Sequence, residues 1–381
     1  MRPGLHAGWF LHGDGAAILF EVEGKYGKAR VFSVNRDEKA IGQIQVLMDQ
    51  PFVAGAKVRI MPDYHWGAGC TIGFTAKLGK YVVPNLVGVD IGCGIFVQSL
   101  GKVEPDLKAF DQTVHQIPSG FNSWRSPWVK AEFMQKLKAY RAIKTEVIDR
   151  QVGTLGGGNH FIELGKESET GEVFLVIHSG SRNIGKQVAD HYQKLAAKHC
   201  KEDVPKPLKY LTGAIAEDYF HDMQLCQEYA ALNRATMAKV IGESFELIGQ
   251  PFQTVHNYID RKDQIVRKGA VSARKGERLI IPMNMRDGSV ICTGKGNPDW
   301  NWSAPHGAGR VLGRMEAKRT LRMDEFKHSM AGVYSSSINS HTLDEAPMAY
   351  KPVDEILEAI GETVEVQAFL RPIYNFKAGK E

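Results

Sequence analysis

The sequence predicts an α+β fold in which the whole chain forms one domain. Segments with strand-like and helix-like patterns alternate along the chain, and neither a linker nor a low-complexity tract separates them. Clusters of glycine, each beside an apolar run and each carrying a His, Cys, Asp or Arg, recur from the MPDYHWGAG segment to the SAPHGAGR segment. Because catalytic groups often lie on loops held by a rigid scaffold, we interpret these clusters as loops of one shared site.

Four segments have the clearest secondary-structure patterns. Residues 56–61 (AKVRIM) and 172–178 (EVFLVIH) are short β-rich runs, which predict strands. Residues 129–149 predict a surface helix. Its apolar stripe comprises Phe133, Leu137, Tyr140 and Ile143 or Ile148. Residues 217–243 predict a longer helix, since apolar residues recur there at helical spacing. Its predicted core positions are Tyr219, Met223, Cys226, Ala230, Met237 and Ile241.

The composition predicts a globular protein without a membrane span. Of the 381 residues, 43% are hydrophobic and 24% are charged, which is enough to build a sizeable core. The net charge of +5 permits a polyanionic partner without requiring one. The five cysteines form no CxxC pair, and the first residues lack a basic region followed by an apolar run. These features predict a reducing, cytoplasmic location.

A set of side chains suited to metal binding lies on the glycine-rich segments. Asp90 and Cys93 form a DxxC pair, while His160, His178 and His256 each lie next to a short apolar run. Imidazole and thiolate together suit zinc, manganese, iron or cobalt, and a thiolate can bridge two ions. Each residue alone is better explained as a packed or hydrogen-bonded side chain, and it is their shared setting on glycine-rich segments that favours a metal site. Ligand types alone therefore predict a metal site without choosing the metal.

Two segments are suited to bind anions. In residues 178–188 (HSGSRNIGKQV), a strand end leads through two serines and Arg182 into a helical pattern, which predicts a phosphate cradle. The alternative is a helix N-cap with a solvated arginine. Arg310 and Arg314 follow His306 at four-residue spacing, so that on a helix they would share a face. The alternative for that pair is ordinary surface charge.

Taken in order, these motifs are similar to those of one known family. DIGCG, GTLGGGNHF, IHSGSR, VHN and HGAGR resemble motifs of the RtcB-type RNA-splicing ligases, as does the earlier MPDYHWGAG segment. DYFHDMQLCQEYAALNR, EAPMAYKPVDEIL and RPIYNFKAGK resemble its later segments. The resemblance spans residues 35–377. It implies a single domain, residues 1–381, of mixed β-sheets surrounded by helices.

The resemblance also implies the chemistry. RtcB-type ligases join RNA ends that carry a 2′,3′-cyclic phosphate or 3′-phosphate to 5′-hydroxyl ends, using GTP and two Mn²⁺ ions. His306 matches the histidine that becomes guanylylated, and Asp63 matches a residue that orients it or a metal ion. Cys93 would bridge the ions, with His178 and His256 completing one site and Asp90 and His160 the other.

Other roles follow from matching positions. The implied GTP or GMP contacts are Asn159, His256, Asn257, His306, Gly307, Ala308, Gly309, Tyr350 and Lys377. The implied RNA or phosphate contacts are Arg182, Arg310 and Arg314. For Tyr350, a core aromatic is the alternative interpretation. We expect a monomer, and the sequence does not identify an activating partner.

Several positions depart from the family pattern. Residues 281–289 (IPMNMRDGS) lack the PGS of the loop that helps to read guanine, glycine precedes Cys93 where asparagine is common, and Pro305 replaces a usual cysteine. The chain is also short for the family. These departures indicate a divergent paralogue, with damaged RNA rather than tRNA exons as one possible substrate. They leave two rivals to ligation: a dinuclear RNA-end phosphoesterase or cyclic phosphodiesterase, and an RNA-end binding protein with a degenerate site.

Overall fold

The structure, a computed structural model, describes residues 20–378. The predicted absence of a leader falls on residues 1–19, which lie outside the described residues, as do residues 379–381. The strands of the described chain are β1 (Phe20–Glu23), β2 (Lys28–Val31), β3 (Val58–His65), β4 (Ile72–Lys77), β5 (Gly94–Gly101), β6 (Phe161–Glu167), β7 (Val173–Ser179), β8 (Ile248–Val255), β9 (Asn257–Asp260), β10 (Ile265–Lys268), β11 (Ala270–Ser272), β12 (Arg278–Asn284), β13 (Gly288–Gly294), β14 (Ser303–Pro305) and β15 (Val364–Phe376). The predicted strands at 56–61 and 172–178 are confirmed as β3 and β7.

The strands form three sheets. A seven-stranded antiparallel sheet has the order β12-β13-β15-β6-β7-β5-β8. A six-stranded sheet has the order β1-β2-β3-β4-β10-β9, in which β2 and β3 are parallel. The third sheet pairs β11 with β14. This mixed architecture, with helices packed around several sheets, confirms the predicted α+β class.

The α-helices of the described chain surround these sheets. They are α1 (Glu38–Met48), α2 (Leu107–Val114), α3 (Ile148–Gln151), α4 (Arg182–His199), α5 (Gly213–Gly242), α6 (Arg314–Thr320), α7 (Met323–Ser329) and α8 (Val353–Ile360). Helix α5 confirms the helix predicted at 217–243, and all six of its predicted core positions are buried. Within the described range, no helix combines the length and apolarity needed to cross a membrane.

The helix predicted at 129–149 is wrong. That stretch folds as two short 3₁₀ turns, Glu132–Lys136 and Tyr140–Ala142, followed by α3. The backbone N–H groups of Lys138 and Ala139 donate to the buried carboxylate of Asp222 in α5, at 2.7 and 2.9 Å. Because those amides bond to a distant side chain, they cannot form helical bonds, and the local pattern is overridden by tertiary contacts.

Four of the candidate metal ligands lie at one end of adjacent strands in the seven-stranded sheet. Cys93 directly precedes β5, His160 directly precedes β6, His178 lies near the end of β7, and His256 directly follows β8. The antiparallel register pairs Gly94 with Ser179 and with Val255, and Phe161 with His178. Strand ends that are adjacent in the sheet therefore deliver all four side chains to the same place.

The glycine before Cys93 has a local structural reason. Gly92 has a φ of +71°, and a Cβ there would lie 2.8 Å from the Cα of Gln227 in α5. Any larger residue would be strained and would collide with the helix backbone. The close approach of α5 therefore explains why this chain has glycine at that position.

Candidate active site

The predicted metal ligands form one compact cluster. Nε2 of His178 lies 3.3 Å from Sγ of Cys93 and 3.4 Å from Nε2 of His256. On the other side of Cys93, Nε2 of His160 lies 3.5 Å from Sγ and 3.1 Å from Oδ2 of Asp90. The donor atoms thus form two groups of three, and Cys93 belongs to both.

Backbone carbonyls orient two of the histidines. Nδ1 of His160 lies 2.9 Å from the carbonyl oxygen of Leu155, and Nδ1 of His178 lies 3.2 Å from that of Asn159. A ring that donates its Nδ1 proton to a carbonyl keeps a free lone pair on Nε2. Both Nε2 atoms point into the cluster, so the rings are fixed in the tautomer that binds metal ions.

The protonation tendencies of the cluster follow from its burial. Desolvation lowers the pKa of His178 and of His256 well below the usual value, so both rings are neutral. Burial and the neighbouring Asp90 charge raise the pKa of the Cys93 thiol. Burial alone would also raise the pKa of Asp90, but its contacts with His160 and Cys93 and the charge of Arg182 together outweigh burial and lower the pKa to about 2.

The donor set fits a pair of divalent cations. Neutral imidazole nitrogens and an ionised carboxylate lie within bonding range of shared ions, and a positive ion would favour the thiolate form of Cys93. Without a cation, these buried nitrogen, sulfur and oxygen atoms face one another with few protons available to form hydrogen bonds between them. Asp90, Cys93 and His160 can hold one ion, and Cys93, His178 and His256 a second.

His306 lies beside this cluster but is held by a different group. Its Nδ1 lies 2.6 Å from Oδ2 of Asp63, which also accepts a hydrogen bond from the His306 backbone N–H at 3.1 Å. The rings of His306 and His256 have centroids 4.8 Å apart. Pro305, the unusual neighbour, ends β14 directly before His306. With Nδ1 engaged by Asp63, Nε2 is the ring nitrogen that can react.

A large cavity opens in front of His306. Its volume is about 1340 Å³. Most of the predicted nucleotide contacts line it, namely Asn159, His306, Gly307, Ala308, Gly309, Tyr350 and Lys377. His256 lies among the candidate metal ligands and is not one of the residues that line the cavity. Asn257 donates to the Asp90 carbonyl and accepts from Gly269 N–H, so its amide supports the loop that carries Asp90.

The wall of the cavity also carries Glu163, a carboxylate that no sequence motif had indicated. Glu163 is buried, its Oε2 accepts a hydrogen bond of 2.7 Å from Asn375, and its Oε1 has no hydrogen-bond partner among the described residues. Burial raises the pKa of Glu163 to about 8, although Asn375 and Lys377 act in the opposite direction. In the sequence, Glu163 lies three residues after the GGGNH motif, and this proximity is the signal that could have identified it as a residue of the site.

The predicted phosphate-binding arginines have different surroundings. Arg182 has a φ of +57°, and its guanidinium donates to Thr154 and to the Gly120 carbonyl. The side chain of Arg182 is therefore not solvated, although Ser181 does occupy the N-cap position of α4, as the alternative interpretation held. The hydroxyls of Ser179 and Ser181, which the predicted phosphate cradle would use, are buried and donate instead to the carbonyls of Leu155 and Ile91.

The expectation that Arg310 and Arg314 share a helix face is also wrong, because α6 begins at Arg314. The two side chains nevertheless meet at one carboxylate, Glu345, which accepts from both. Glu345 lies in the EAPMAYK motif that the resemblance included, but nothing in the sequence marked it as a shared partner.

A candidate metal cluster next to a carboxylate-bound histidine defines a site suited to catalysis, and comparison with known proteins gives the family. The family model for tRNA-splicing ligase RtcB matches residues 43–148 and 130–378. The chain belongs to the RtcB family.

Individual relatives agree with this assignment. The chain is 31% identical to RNA-splicing ligase RtcB of Escherichia coli (strain K12), over 84% of this chain and 90% of that protein. It is 28% identical to RNA-splicing ligase RtcB2 of Escherichia coli (strain ATCC 25922), covering 91% of this chain and 95% of the relative. It is 27% identical to tRNA-splicing ligase RtcB of Aeropyrum pernix, over 82% of this chain and 86% of that protein.

Proposed function

We propose that this protein is a GTP- and Mn²⁺-dependent RNA ligase that joins 3′-phosphate or 2′,3′-cyclic phosphate ends to 5′-hydroxyl ends. The observation that carries the proposal is the placement of His306. Asp63 holds its Nδ1, its Nε2 is not bound by any described residue, and it faces a large cavity beside the candidate metal cluster. A histidine that served as a metal ligand would have no lone pair left for attack.

In the first step, Nε2 of His306 attacks the α-phosphorus of GTP. An N–P bond forms, the bond between the α-phosphorus and its bridging oxygen breaks, and pyrophosphate leaves. The Nδ1 proton stays on the ring, and the Asp63 carboxylate stabilises the positive charge that develops there. Divalent ions held by the five ligands would neutralise the charge of the phosphate oxygens.

In the second step, GMP moves from His306 to the RNA 3′-phosphate. An oxygen of that phosphate attacks the GMP phosphorus, the N–P bond breaks, and the imidazole recovers its lone pair. The 5′-hydroxyl of the second RNA then attacks the activated 3′-phosphorus, which forms the phosphodiester and releases GMP. A 2′,3′-cyclic end must first be hydrolysed to the 3′-phosphate.

The cavity wall supports guanine as the base. Guanine presents N–H donors at N1 and N2 and an acceptor at O6, whereas adenine presents an acceptor at N1. The free Oε1 of Glu163 suits those donors, and the ammonium of Lys377 suits O6. Residues 281–289, the altered loop, comprise the end of β12, the turn at 285–287 and the start of β13, and Met283 and Met285 of this segment line the cavity. Base selection would then depend more on Glu163 than on that turn.

The remaining parts of the proposal concern partners and location. The substrate would be RNA whose phosphates meet the cationic side chains around the cavity. We propose a monomer in a reducing, cytoplasmic compartment, and the five cysteines are all unpaired, which is consistent with that environment.

Incubation with α-labelled GTP and Mn²⁺ tests the covalent step. Wild type should form an acid-labile, alkali-stable adduct that is absent from His306→Ala. An adduct of equal yield in His306→Ala would contradict the assignment of the nucleophile. RNA carrying a cyclic phosphate then distinguishes the rival enzyme, because a phosphoesterase would open that end and never join the strands.

A further inference from the structure

Glu345 is a buried carboxylate on which four polar side chains of the cavity converge. It lies in the 3₁₀ turn Leu343–Glu345 and is 2% exposed. Oε1 accepts hydrogen bonds from Nη1 of Arg310 at 3.2 Å and Nη1 of Arg314 at 2.5 Å. Oε2 accepts from Nζ of Lys377 and the hydroxyl of Tyr350, each at 2.6 Å.

The two oxygens of Glu345 serve different parts of the cavity. On the Oε1 side, Nη2 of Arg314 would lie 3.8 Å from a Cβ on Gly158, which places this arginine against the loop that carries Asn159. On the Oε2 side, Nζ of Lys377 lies 5.4 Å from the ring centroid of Phe161, on the wall that also carries Glu163. One carboxylate therefore links the side of the cavity near Asn159 to the side near Glu163.

The charges make Glu345 necessary for this arrangement. Two guanidinium groups and one ammonium group approach the same carboxylate and would repel one another without it. Burial alone would raise the pKa of Glu345, but Lys377 and the two arginines hold it well below the usual range. The carboxylate is thus ionised throughout the working pH range, and it fixes the cations by charge-assisted hydrogen bonds.

We propose that Glu345 is a positioning residue that aligns Arg314 with the nucleotide phosphates and Lys377 and Tyr350 with the base. It does so by sharing one carboxylate among them, and it does not contact the reacting atoms. This inference rests on the proposed binding of GTP in the cavity. It predicts that loss of the carboxylate weakens base binding and phosphate binding together.

Asp344 offers a matched control. It is adjacent in sequence and buried, and its Oδ2 accepts from Nη1 of Arg314 at 2.8 Å. Its other charged neighbour is Lys318, at 3.5 Å, and no described contact joins its side chain to Lys377 or Tyr350. Asp344→Asn should therefore weaken only the binding of phosphates, whereas Glu345→Gln should also weaken the binding of the base.

The test measures calorimetric Kd values of the full-length protein for GTP, guanosine and inorganic pyrophosphate, together with bound Mn²⁺ and the melting temperature. Glu345→Gln should keep its Mn²⁺ and bind both guanosine and pyrophosphate roughly 10-fold to 100-fold more weakly, a range typical of removing a residue that orients a binding group. Asp344→Asn should bind guanosine as wild type does and pyrophosphate more weakly. A purely structural role would not produce this split.

The outcomes separate the two proposals. If wild type binds neither GTP nor guanosine, the proposed function is overturned and this inference with it. If wild type binds GTP and Glu345→Gln binds all three ligands equally well, only this inference is overturned. Should Glu345→Gln fail to fold, Tyr350→Phe decides, because it removes one donor to Oε2 and keeps the ring. Weaker guanosine binding with unchanged pyrophosphate binding would support the inference, and unchanged guanosine binding would overturn it.

Discussion

Asp63 and His306 lie 243 residues apart in sequence, yet one carboxylate oxygen of Asp63 bonds to both the ring and the backbone of His306. Asp63 is fully buried in β3, and His306 directly follows β14. Lys351 joins the same two segments, since its Nζ donates to the Pro62 carbonyl and its backbone N–H to the Gly309 carbonyl. His306 is thus positioned by two sheets at once.

Asp63→Asn should slow formation of the His306 adduct by roughly 10²-fold to 10⁴-fold, the range for a group that orients or charges a catalytic imidazole. The amide keeps the shape of the side chain but cannot stabilise the developing imidazolium. Single-turnover labelling with GTP measures the rate, and the Kd for GTP should change little. Asp190→Asn, at an exposed pair in α4, is the control. An unchanged labelling rate in Asp63→Asn would contradict this role.

Cys93 belongs to both groups of candidate metal ligands, whereas His160 and His256 each belong to one. Cys93→Ala should therefore weaken the binding of both Mn²⁺ ions, and His160→Ala or His256→Ala should each weaken the binding of one. Elemental analysis after equilibration with Mn²⁺ gives the stoichiometry. Cys200→Ala removes a cysteine far from the site in sequence and should retain two ions. Equal stoichiometry in Cys93→Ala and His256→Ala would argue against a bridging thiolate.

Gly309 is where the HGAGR loop touches the strand that carries Asp63. Its φ is +76°, and a Cβ would lie 2.1 Å from the Asp63 carbonyl oxygen. Gly309→Ala should lower the free energy of unfolding by about 2–4 kcal/mol, from backbone strain and overpacking together. Gly313→Ala is the matched control, because nothing lies within 4 Å of its Cβ position. Denaturant unfolding compares them, and equal stabilities would refute the close contact.

Arg310 and Arg314 should respond differently to truncation. Nε, Nη1 and Nη2 of Arg310 all donate to protein groups, and only 12% of its side chain is exposed. Arg310→Ala should therefore lower the free energy of unfolding by about 3–5 kcal/mol, because it breaks a buried ion pair.

Only Nη1 of Arg314 has described partners, and its side chain is 33% exposed. Arg314→Ala should lower the free energy of unfolding by about 1 kcal/mol and weaken pyrophosphate binding by about tenfold or more. Melting and pyrophosphate titrations measure both effects. If Arg314→Ala instead caused the larger loss of stability and Arg310→Ala the weaker pyrophosphate binding, the roles of the two arginines would be exchanged.

The affinity for guanosine should depend on the protonation of Glu163. Its pKa is raised to about 8, so below that pH the carboxyl is neutral in the free protein and cannot accept from both guanine donors. Affinity should rise by up to about tenfold per pH unit as pH increases toward 8, then level off. Guanosine titrations from pH 6.5 to 8.5 test this. Glu163→Gln should give weaker, pH-independent binding, and a flat wild-type profile would contradict the prediction.

Much of the chemistry could be predicted from sequence because it lies in short contiguous motifs. Cys93, His160, His178 and His256 each sit where a strand meets a glycine-rich turn, and local sequence determines such turns. Helix α5 could likewise be predicted from the sequence, since its buried positions repeat with the helical period. The set of donor types and the isolation of His306 thus followed from the sequence.

Other features depended on partners far away in the chain. Residues 129–149 have an amphipathic pattern but do not form a continuous helix, because backbone N–H groups of this segment donate to the carboxylate of Asp222. Arg310 and Arg314 look alike in the sequence HGAGRVLGR, yet the exposure of their side chains differs. Glu163 and Glu345 carry no local signal for their burial.

The sequence by itself therefore determined which chemical groups this protein brings to its site. Tertiary structure alone decided which of them are free to act. Periodicity and turn chemistry act over a few residues, and they specify strands, loops and the side chains at their ends. Burial, pKa and the sharing of Glu345 among four donors arise from contacts between elements that only the folded sheets bring together.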